Sequence, residues 1–302
     1  MIGLLAMAAA AAAQPRTVLT IDPSHRLVEG VTSDGKTIWV SSILDSQILA
    51  CRSTCETIAT LPAPLHPFAI AWDSLRERLW VAADCPPGVT GIKACERGAL
   101  LALDRQGKIQ TRIAPFIGDF HPGDVSVAAR GQVFVSDSQN GMVFRLTKNE
   151  RGMMAVVLPD TGKSAQGTAL DRTGAQLVVA DYSQGIGITG IDTFKRTLLL
   201  RQDGKPLRGI DGLIRCGSIY YGIYNGATPG RLLSFTTDGK TLNFEEPLPD
   251  LKLPDPTQVA YDGEQLLIVA DSGWASVDKP NAPRASGASI VAVPLSSDCR
   301  PK

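Results

Sequence analysis

The sequence lacks a block of one charge and lacks an apolar run of membrane length. Thirty Lys and Arg residues balance thirty Asp and Glu residues, so the formal net charge is zero. Because no Lys/Arg cluster interrupts the chain, nucleic acid and anionic membrane surfaces are poor candidates as partners. No apolar run reaches the roughly 18 residues that a transmembrane helix needs, so no transmembrane segment is expected.

Several common catalytic motifs are also missing. The absence of a Gly-x-Ser-x-Gly elbow argues against a serine hydrolase of the α/β type. Three histidines, at positions 25, 66 and 121, stand far apart, and the sequence has no Cys-x-x-Cys, so no zinc site is expected. The glycine-rich stretch Gly185–Gly190 imitates a dinucleotide-binding loop but opens no predicted helix. We therefore predict that it is a flexible connection between strands.

What the sequence does contain is a pattern that recurs six times. Each copy begins with a short polar or turn-forming phrase and reaches an apolar strand a dozen or so residues later. The residues that anchor the six copies are Glu29, Ala69, Asp124, Gln166, Asp211 and Gln258. The gaps between them are 40, 55, 42, 45 and 47 residues, and a period of this length filled with short strands is typical of a β-propeller. The sequence therefore predicts an all-β fold, a six-bladed β-propeller with four-stranded antiparallel blades around a central channel.

The repeats predict one propeller domain over residues 17–302. Thr17–Ile21 is strand-like but precedes the first anchor, so we predict that it is the outermost strand of the last blade. There it would pair with Ala288–Val293 and close the ring, which removes exposed sheet edges. In the fourth repeat, strands are predicted at 167–170 and 175–180, with further strands at 190–192 and 196–200.

Residues 1–13 differ from the rest of the chain. They form an apolar segment with an alanine run that ends at Ala13, and such a segment resembles a secretory signal peptide. The usual basic residues at its start are missing, so a disordered tail is the alternative. The expected location is periplasmic or secreted.

The cysteines agree with export, because disulfides form in oxidising compartments. Cys51 and Cys55 flank a predicted hairpin turn, and Cys85 and Cys95 enclose an insertion that accounts for most of the longest gap. Cys216 and Cys299 are left as a third pair by elimination. Six cysteines allow fifteen pairings, so other pairings stay open, above all for this last pair.

Short phrases at the anchors resemble a known family. Gln166–Gly174 is similar to the family phrase Asn-Gly-Leu-Ala-Trp-Ser-Pro-Asp-Gly, Glu29-Gly30 to the Glu-Gly of its first blade, and Asp211-Gly212-Leu213 to its Asp-Gly-Met. The chain thus resembles the senescence marker protein, gluconolactonase and luciferin-regenerating enzyme family of six-bladed propellers, over about residues 22–296.

The resemblance implies a divalent cation, in most members calcium, at the top of the channel. The implied metal ligands are Glu29, Gln166 and Asp211, and the implied catalytic residue is Asp211, as the general base. Two carboxylates and an amide oxygen suit a hard cation of this kind. The implied function is metal-dependent hydrolysis of a small-molecule lactone or ester.

The chain departs from the family pattern at two anchors. Gln166 stands in place of an asparagine. The extra methylene of glutamine carries the side-chain amide about 1.5 Å further from the backbone, the length of one C–C bond. Gly123-Asp124 stands in place of Asn-Asp, so Asp124 is a candidate either for substrate binding or for holding the blade turn. His121 is a candidate substrate donor or proton shuttle, with a surface-loop role as the alternative, and Asn225 is a candidate pocket residue or turn former.

Two further alternatives remain. Aspartates recur at the ends of four predicted second strands, and we predict a structural role for them, in which each carboxylate accepts local hydrogen bonds. They are Asp84, Asp137, Asp181 and Asp271. The alternative function is a non-catalytic propeller that binds a peptide, glycan or protein partner, since NHL-type and royal-jelly or yellow-type propellers share the same rhythm. Lyase chemistry on the same scaffold cannot be separated from hydrolysis by sequence.

Overall fold

A computed structural model describes residues 14–115, 118–149, 152–158, 162–277, 287–295 and 299. Their regular secondary structure is β-strand, apart from one 3₁₀ turn at Trp274–Ser276. The predicted leader, residues 1–13, lies outside the described part of the chain. Among the described residues no helix is long and apolar enough to cross a membrane.

The strands form six antiparallel sheets in chain order, as the repeats predicted. The chain begins with β1 (Arg16–Thr20). Blade one contains β2 (Val28–Ser33), β3 (Ile38–Ser42), β4 (Gln47–Cys51) and β5 (Cys55–Thr60). Blade two contains β6 (His66–Asp73), β7 (Arg78–Asp84), β8 (Ala99–Leu103) and β9 (Ile109–Ile113). Blade three contains β10 (Pro122–Val127), β11 (Val133–Asp137), β12 (Val143–Asn149) and β13 (Gly152–Leu158).

The second half of the chain repeats this arrangement, with an extra strand in blade five and with β1 as the fourth strand of blade six. Blade four contains β14 (Ala165–Leu170), β15 (Gln176–Asp181), β16 (Gly185–Gly190) and β17 (Arg196–Leu198). A short strand, β18 (Leu200–Arg201), joins the outer edge of blade five in parallel. Blade five contains β19 (Ile210–Cys216), β20 (Ile219–Tyr224), β21 (Arg231–Thr237) and β22 (Thr241–Glu245). Blade six contains β23 (Val259–Tyr261), β24 (Gln265–Val269) and β25 (Ser289–Pro294), and β1 completes it.

The ring closes through its first and last strands. β1 pairs antiparallel with β25, with Arg16 opposite Ala292 and Thr20 opposite Ser289. The predicted closure is therefore confirmed. Because β1 covers the outer edge of β25, blade six is a four-stranded sheet like its neighbours.

The hydrophobic core is divided into clusters that lie between neighbouring blades. Between blades two and three, for example, buried Trp80 packs in one cluster with Val125 and Phe144. Comparable clusters join each of the other neighbouring pairs, including blades six and one. Both faces of a blade are therefore apolar, and each blade needs its neighbours in order to bury them.

The inner strands are irregular at the anchors. The strand register shifts in each of the first five blades, between Val28 and Val31, Pro67 and Ile70, Pro122 and Asp124, Ala165 and Thr168, and Ile210 and Leu213. Such bulges change the direction of side chains. The anchor side chains therefore do not follow the usual pattern in which successive residues of a strand point to opposite faces of the sheet. The neighbouring backbones also come close. A Cβ on Gly30 would lie 2.7 Å from the carbonyl oxygen of Phe68, and one on Gly212 would lie 2.8 Å from that of Thr257.

The structure contains three disulfides, Cys51–Cys55, Cys85–Cys95 and Cys216–Cys299. The first two join residues of the same hairpin or loop. The third ties the end of β19 in blade five to the C-terminal region beyond β25. The six cysteines are thus paired as the sequence suggested.

The prediction for Gly185–Gly190 was wrong. This stretch is strand β16, which pairs with β15 along its whole length, and the predicted strand at 190–192 is not formed. Glycine disfavours strands in general, so this stretch has only a weak strand signal of its own. Here the glycines have a packing role, because a Cβ on Gly187 would lie only 2.7 Å from Nε of Arg196.

Candidate functional site

Glu29 lies in the bulge of the first inner strand, and its side chain is buried. The indole Nε1 of Trp274 donates a hydrogen bond of 2.6 Å to its Oε2, and the Thr257 hydroxyl donates one of 2.8 Å to its backbone carbonyl. Burial, and then the negative charge of Asp211, raise the pKa of Glu29 well above its usual range, although the indole acts in the opposite direction.

Asp211 lies in the bulge of the fifth inner strand and is half-buried. The side-chain amide of Asn225, just beyond the end of β20, donates to its Oδ2 at 2.8 Å and to the carbonyl of Pro256 at 3.1 Å. Burial, and then the charge of Asp124, raise the pKa of Asp211 to about 7. A carboxyl group with this pKa can take up or release a proton near neutral pH.

The amide of Asn225 has a fixed orientation, because both of its bonded partners are acceptors and Nδ2 must face them. Its other polar atom, Oδ1, is buried and makes no hydrogen bond within the described residues. A buried carbonyl oxygen without a partner is costly. A donor or a cation next to this atom would remove that cost.

Asp124, at the third anchor, is buried. The backbone N–H of Val125 donates to its Oδ1 at 2.6 Å, and the side chain of Gln258 lies close enough to the carboxyl group to lower its pKa. Burial raises the pKa of Asp124 to about 6. Blades three and six lie opposite each other in a ring of six, so the contact between Asp124 and Gln258 reaches across the channel.

The fourth anchor, Gln166, is half-buried beside the third. Its Oε1 lies 3.4 Å from where a Cβ on Gly123 would be. The side-chain oxygen of Gln166 therefore lies over the backbone next to Asp124, and the longer side chain reaches its neighbouring blade.

Together these residues form an acidic set, which we define as Glu29, Asp124, Gln166 and Asp211. The charges of Asp211 and Asp124 both raise the pKa of Glu29, and Asp124 raises that of Asp211, so the three carboxyl groups share one electrostatic environment. Within the described residues, no three His, Cys, Asp or Glu side chains are arranged as a metal-holding group. The donor types nevertheless fit a hard divalent cation, since they are carboxylate and amide oxygens that repel one another.

His121 does not lie in an exposed surface loop, which was the alternative interpretation of its sequence position. The residue is buried, and its Nδ1 lies 3.2 Å from Oδ1 of Asp84. Its backbone N–H donates to Oδ2 of Asp137 at 3.1 Å. His121 thus connects the ends of β7 and β11, and its hydrogen bonds go to these strand ends rather than to the acidic set.

The structural role predicted for the strand-end aspartates is confirmed in two blades. Asp137 accepts backbone N–H groups of Gln139 and Asn140. Asp181 accepts four, with distances from 2.5 to 3.0 Å. These carboxylates hold the turns that follow the second strands.

Sequence reasoning missed Trp274 and left Gln258 without a role, although Gln258 was recognised as an anchor. Trp274 lies 245 positions from Glu29 and contacts it only because blade six closes against blade one. Asp255 holds the segment that carries the indole, because its Oδ2 accepts N–H groups of Gly273 and Ala275. The available signal was a single tryptophan just after the second strand of the last repeat.

On the side of blades one, two and six, the residues beside Glu29 form an apolar cluster. Four buried residues form its centre, namely Leu27, Ile43, Phe68 and Val277. Trp274 packs against them, together with Val89 and Ile92 from the loop that the Cys85–Cys95 disulfide closes. We call these seven residues the apolar wall.

The fold is similar to that of several proteins of known structure. A gluconolactonase from Xanthomonas campestris is 15% identical with a TM-score of 0.62, over 95% of this chain and 96% of that one. Regucalcin, a calcium-binding protein from Agrobacterium tumefaciens, is 15% identical with a TM-score of 0.61, over 94% and 96%. Virginiamycin B lyase from Staphylococcus aureus is 14% identical with a TM-score of 0.60, over 86% and 83%.

No protein-family model and no curated protein sequence matches the chain. At identities of 14 to 15% the three structures show a common fold. The resemblance read from the anchor phrases is thus confirmed as a likeness of fold to gluconolactonases and regucalcin.

Proposed function

We propose that the protein is an exported, divalent-cation-dependent hydrolase of a small lactone or ester, with its site at the acidic set. The observation that carries the proposal is that Glu29, Asp124 and Asp211 lie close enough for their charges to act on one another, next to the unpartnered Oδ1 of Asn225. Three acids brought together in this way are stabilised by a cation, and similar folds include those of a gluconolactonase and a calcium-binding protein.

Glu29, Gln166 and Asp211 are the residues that would hold the cation, with calcium the expected ion and Asp124 beside them. A bound divalent cation supplies a Lewis acid that stabilises negative charge on the carbonyl oxygen of the substrate. The indole of Trp274 fixes the carboxylate of Glu29 from outside, so that Glu29 is oriented before any ligand arrives. The unpartnered Oδ1 of Asn225 offers a further oxygen to the same region.

Asp211 has the role of general base. Its Oδ2 is occupied by the amide of Asn225, so Oδ1 is the oxygen that accepts the proton of the attacking water. The water oxygen bonds to the carbonyl carbon as its proton passes to Asp211, the carbon–oxygen bond of the lactone breaks, and the leaving oxygen takes the proton back. A carboxylate that lies beside the attacking water can make both transfers.

Export is part of the proposal. Three disulfides favour an oxidising compartment. The apolar residues 1–13 are consistent with a leader that directs the chain to the periplasm or outside the cell.

The proposal is tested on the purified chain without residues 1–13. Bound metal is measured by elemental analysis, and hydrolysis of a panel of lactones and aryl esters is followed before and after chelation. We expect calcium or a similar cation, and hydrolysis that stops on chelation and returns with added metal. A protein that binds no cation and hydrolyses none of the panel would contradict the proposal and favour a non-catalytic binding propeller.

A further inference from the structure

The two sides of the channel mouth differ in chemistry. The acidic set draws residues from blades one, three, four and five, whereas the anchor of blade two is the apolar pair Phe68-Ala69. Phe68 belongs to the apolar wall. A ligand in the mouth therefore meets oxygen atoms on one side and hydrocarbon on the other.

Trp274 belongs to both sides. Its Nε1 is bonded to Glu29, while its ring packs in the apolar wall and remains half-buried. Any group that approaches the carboxylate of Glu29 consequently approaches the indole as well. The apolar wall is therefore continuous with the proposed cation site.

The loop that carries Val89 and Ile92 is the longest insertion between two anchors. The Cys85–Cys95 disulfide closes it, and both side chains are half-buried against the wall. An insertion that only connected two strands would not need apolar side chains at this point. Here they extend the wall outward from Phe68.

From this arrangement we propose that the substrate is a lactone or ester that carries an aromatic or branched aliphatic group. The carbonyl faces Asp211, and the apolar group lies against the half-buried side chains of Trp274 and of the disulfide loop. A polyhydroxylated lactone fits less well, because hydroxyl groups against this wall would lose water without gaining hydrogen bonds. This inference rests on the proposed function for the reaction, but not for the binding.

The first arm of the test compares two six-membered lactones, one fused to a benzene ring and one carrying several hydroxyl groups. We expect kcat/KM for the aromatic lactone to be higher by about tenfold or more, the usual value of a good apolar contact. In the variant Val89→Asp that advantage should disappear through KM, with the hydroxylated lactone unaffected. Leu75→Asp, at a 64% exposed position in the turn between β6 and β7, is the matched control and should change neither.

The second arm measures binding without turnover. An aromatic lactam, which is not hydrolysed, should quench tryptophan fluorescence, and the quenching should be lost in Trp274→Phe and weakened about tenfold in Val89→Asp. Quenching that is absent, or that Val89→Asp leaves unchanged, would overturn the inference whether or not any lactone is hydrolysed. So would a wild-type preference for the hydroxylated lactone. If the lactam binds as expected but no lactone reacts, the apolar subsite stands and the proposed hydrolysis is rejected.

Discussion

Asp181 and Asp211 are both aspartates near the ends of blade strands, yet their surroundings have opposite effects. Asp181 accepts backbone N–H groups of Lys163, Ser164, Ser183 and Gln184, and these hold its pKa below the usual value although burial acts to raise it. Asp211 has one donor, Asn225, and faces the charge of Asp124, so its pKa is raised to about 7.

The difference separates structural acids from functional ones. A carboxylate that is surrounded by N–H donors is already stabilised and has little need of a ligand. A buried carboxylate with few donors and acidic neighbours is unstable as an anion until a proton or a cation arrives. The same residue type therefore serves the fold in Asp181 and, on our proposal, the chemistry in Asp211.

Of the variants that test this difference, Asp211→Asn is expected to have the largest effect, and that effect is on catalysis. Asparagine keeps the size of the side chain and still accepts a hydrogen bond from Asn225, but it cannot take a proton from water. We expect kcat for lactone hydrolysis to fall by about 10²–10⁴-fold with the melting temperature little changed. Initial rates at saturating calcium measure this, with Glu77→Gln, an exposed acid, as the control. A variant with more than a tenth of wild-type activity would remove Asp211 from the base role.

Asp181→Ala should have the reverse profile. Its loss leaves several partly buried N–H groups without an acceptor, at a cost of about 1–3 kcal/mol for such a group. We expect the free energy of unfolding in urea to fall by about 3 kcal/mol, a typical value for breaking a buried network. The rate per folded molecule should be unchanged. If Asp181→Ala keeps its stability but loses activity, then Asp181 does not have the structural role that distinguishes it from Asp211.

The smallest of the three effects concerns Asp124→Asn in metal-free protein. A carboxyl group whose pKa is raised from 3.8 to about 6 on folding lowers stability as the pH rises through that window. This loss of stability is complete when the pH is above the pKa of the folded protein, and it is absent when the pH is below the pKa of the unfolded chain. Replacing Asp124 should therefore stabilise the protein at pH 8, by about 2 kcal/mol once the altered contact with Gln258 is allowed for, and have little effect at pH 4.

Chemical unfolding with a chelator present, at the two pH values, measures that difference. Addition of calcium should reduce the gain, because the wild-type carboxylate then gains a positive neighbour. An equal effect of Asp124→Asn at pH 4 and pH 8 would show that its charge is not what matters.

Much of the fold could be predicted because each blade carries its own copy of the pattern. The six anchors, the closure by β1 and the two short-range disulfides were all readable from spacing. Gly185–Gly190 was misread, because the packing of Arg196 against Gly187 depends on a neighbouring strand and leaves no local signal.

The site was harder to predict than the fold. Glu29, Gln166 and Asp211 could be named as a set only by position in the ring and by resemblance. The contact of Trp274 with Glu29, and that of Gln258 with Asp124, depend on how blade six meets the others. The burial of His121 could not be predicted, since its partner Asp84 belongs to the preceding blade.

The pairing of β1 with β25 also bears on the synthesis of this protein. Arg16 faces Ala292, so β1 has no partner until translation has reached β25. Contacts between distant parts of a chain are slow to form. Until then the ring is not closed, and the edges of β1 and β24 that β25 will cover are unpaired. A chaperone that shields such edges would act on this protein before its last strand appears, and an arrest of translation before β25 would leave a product that cannot close.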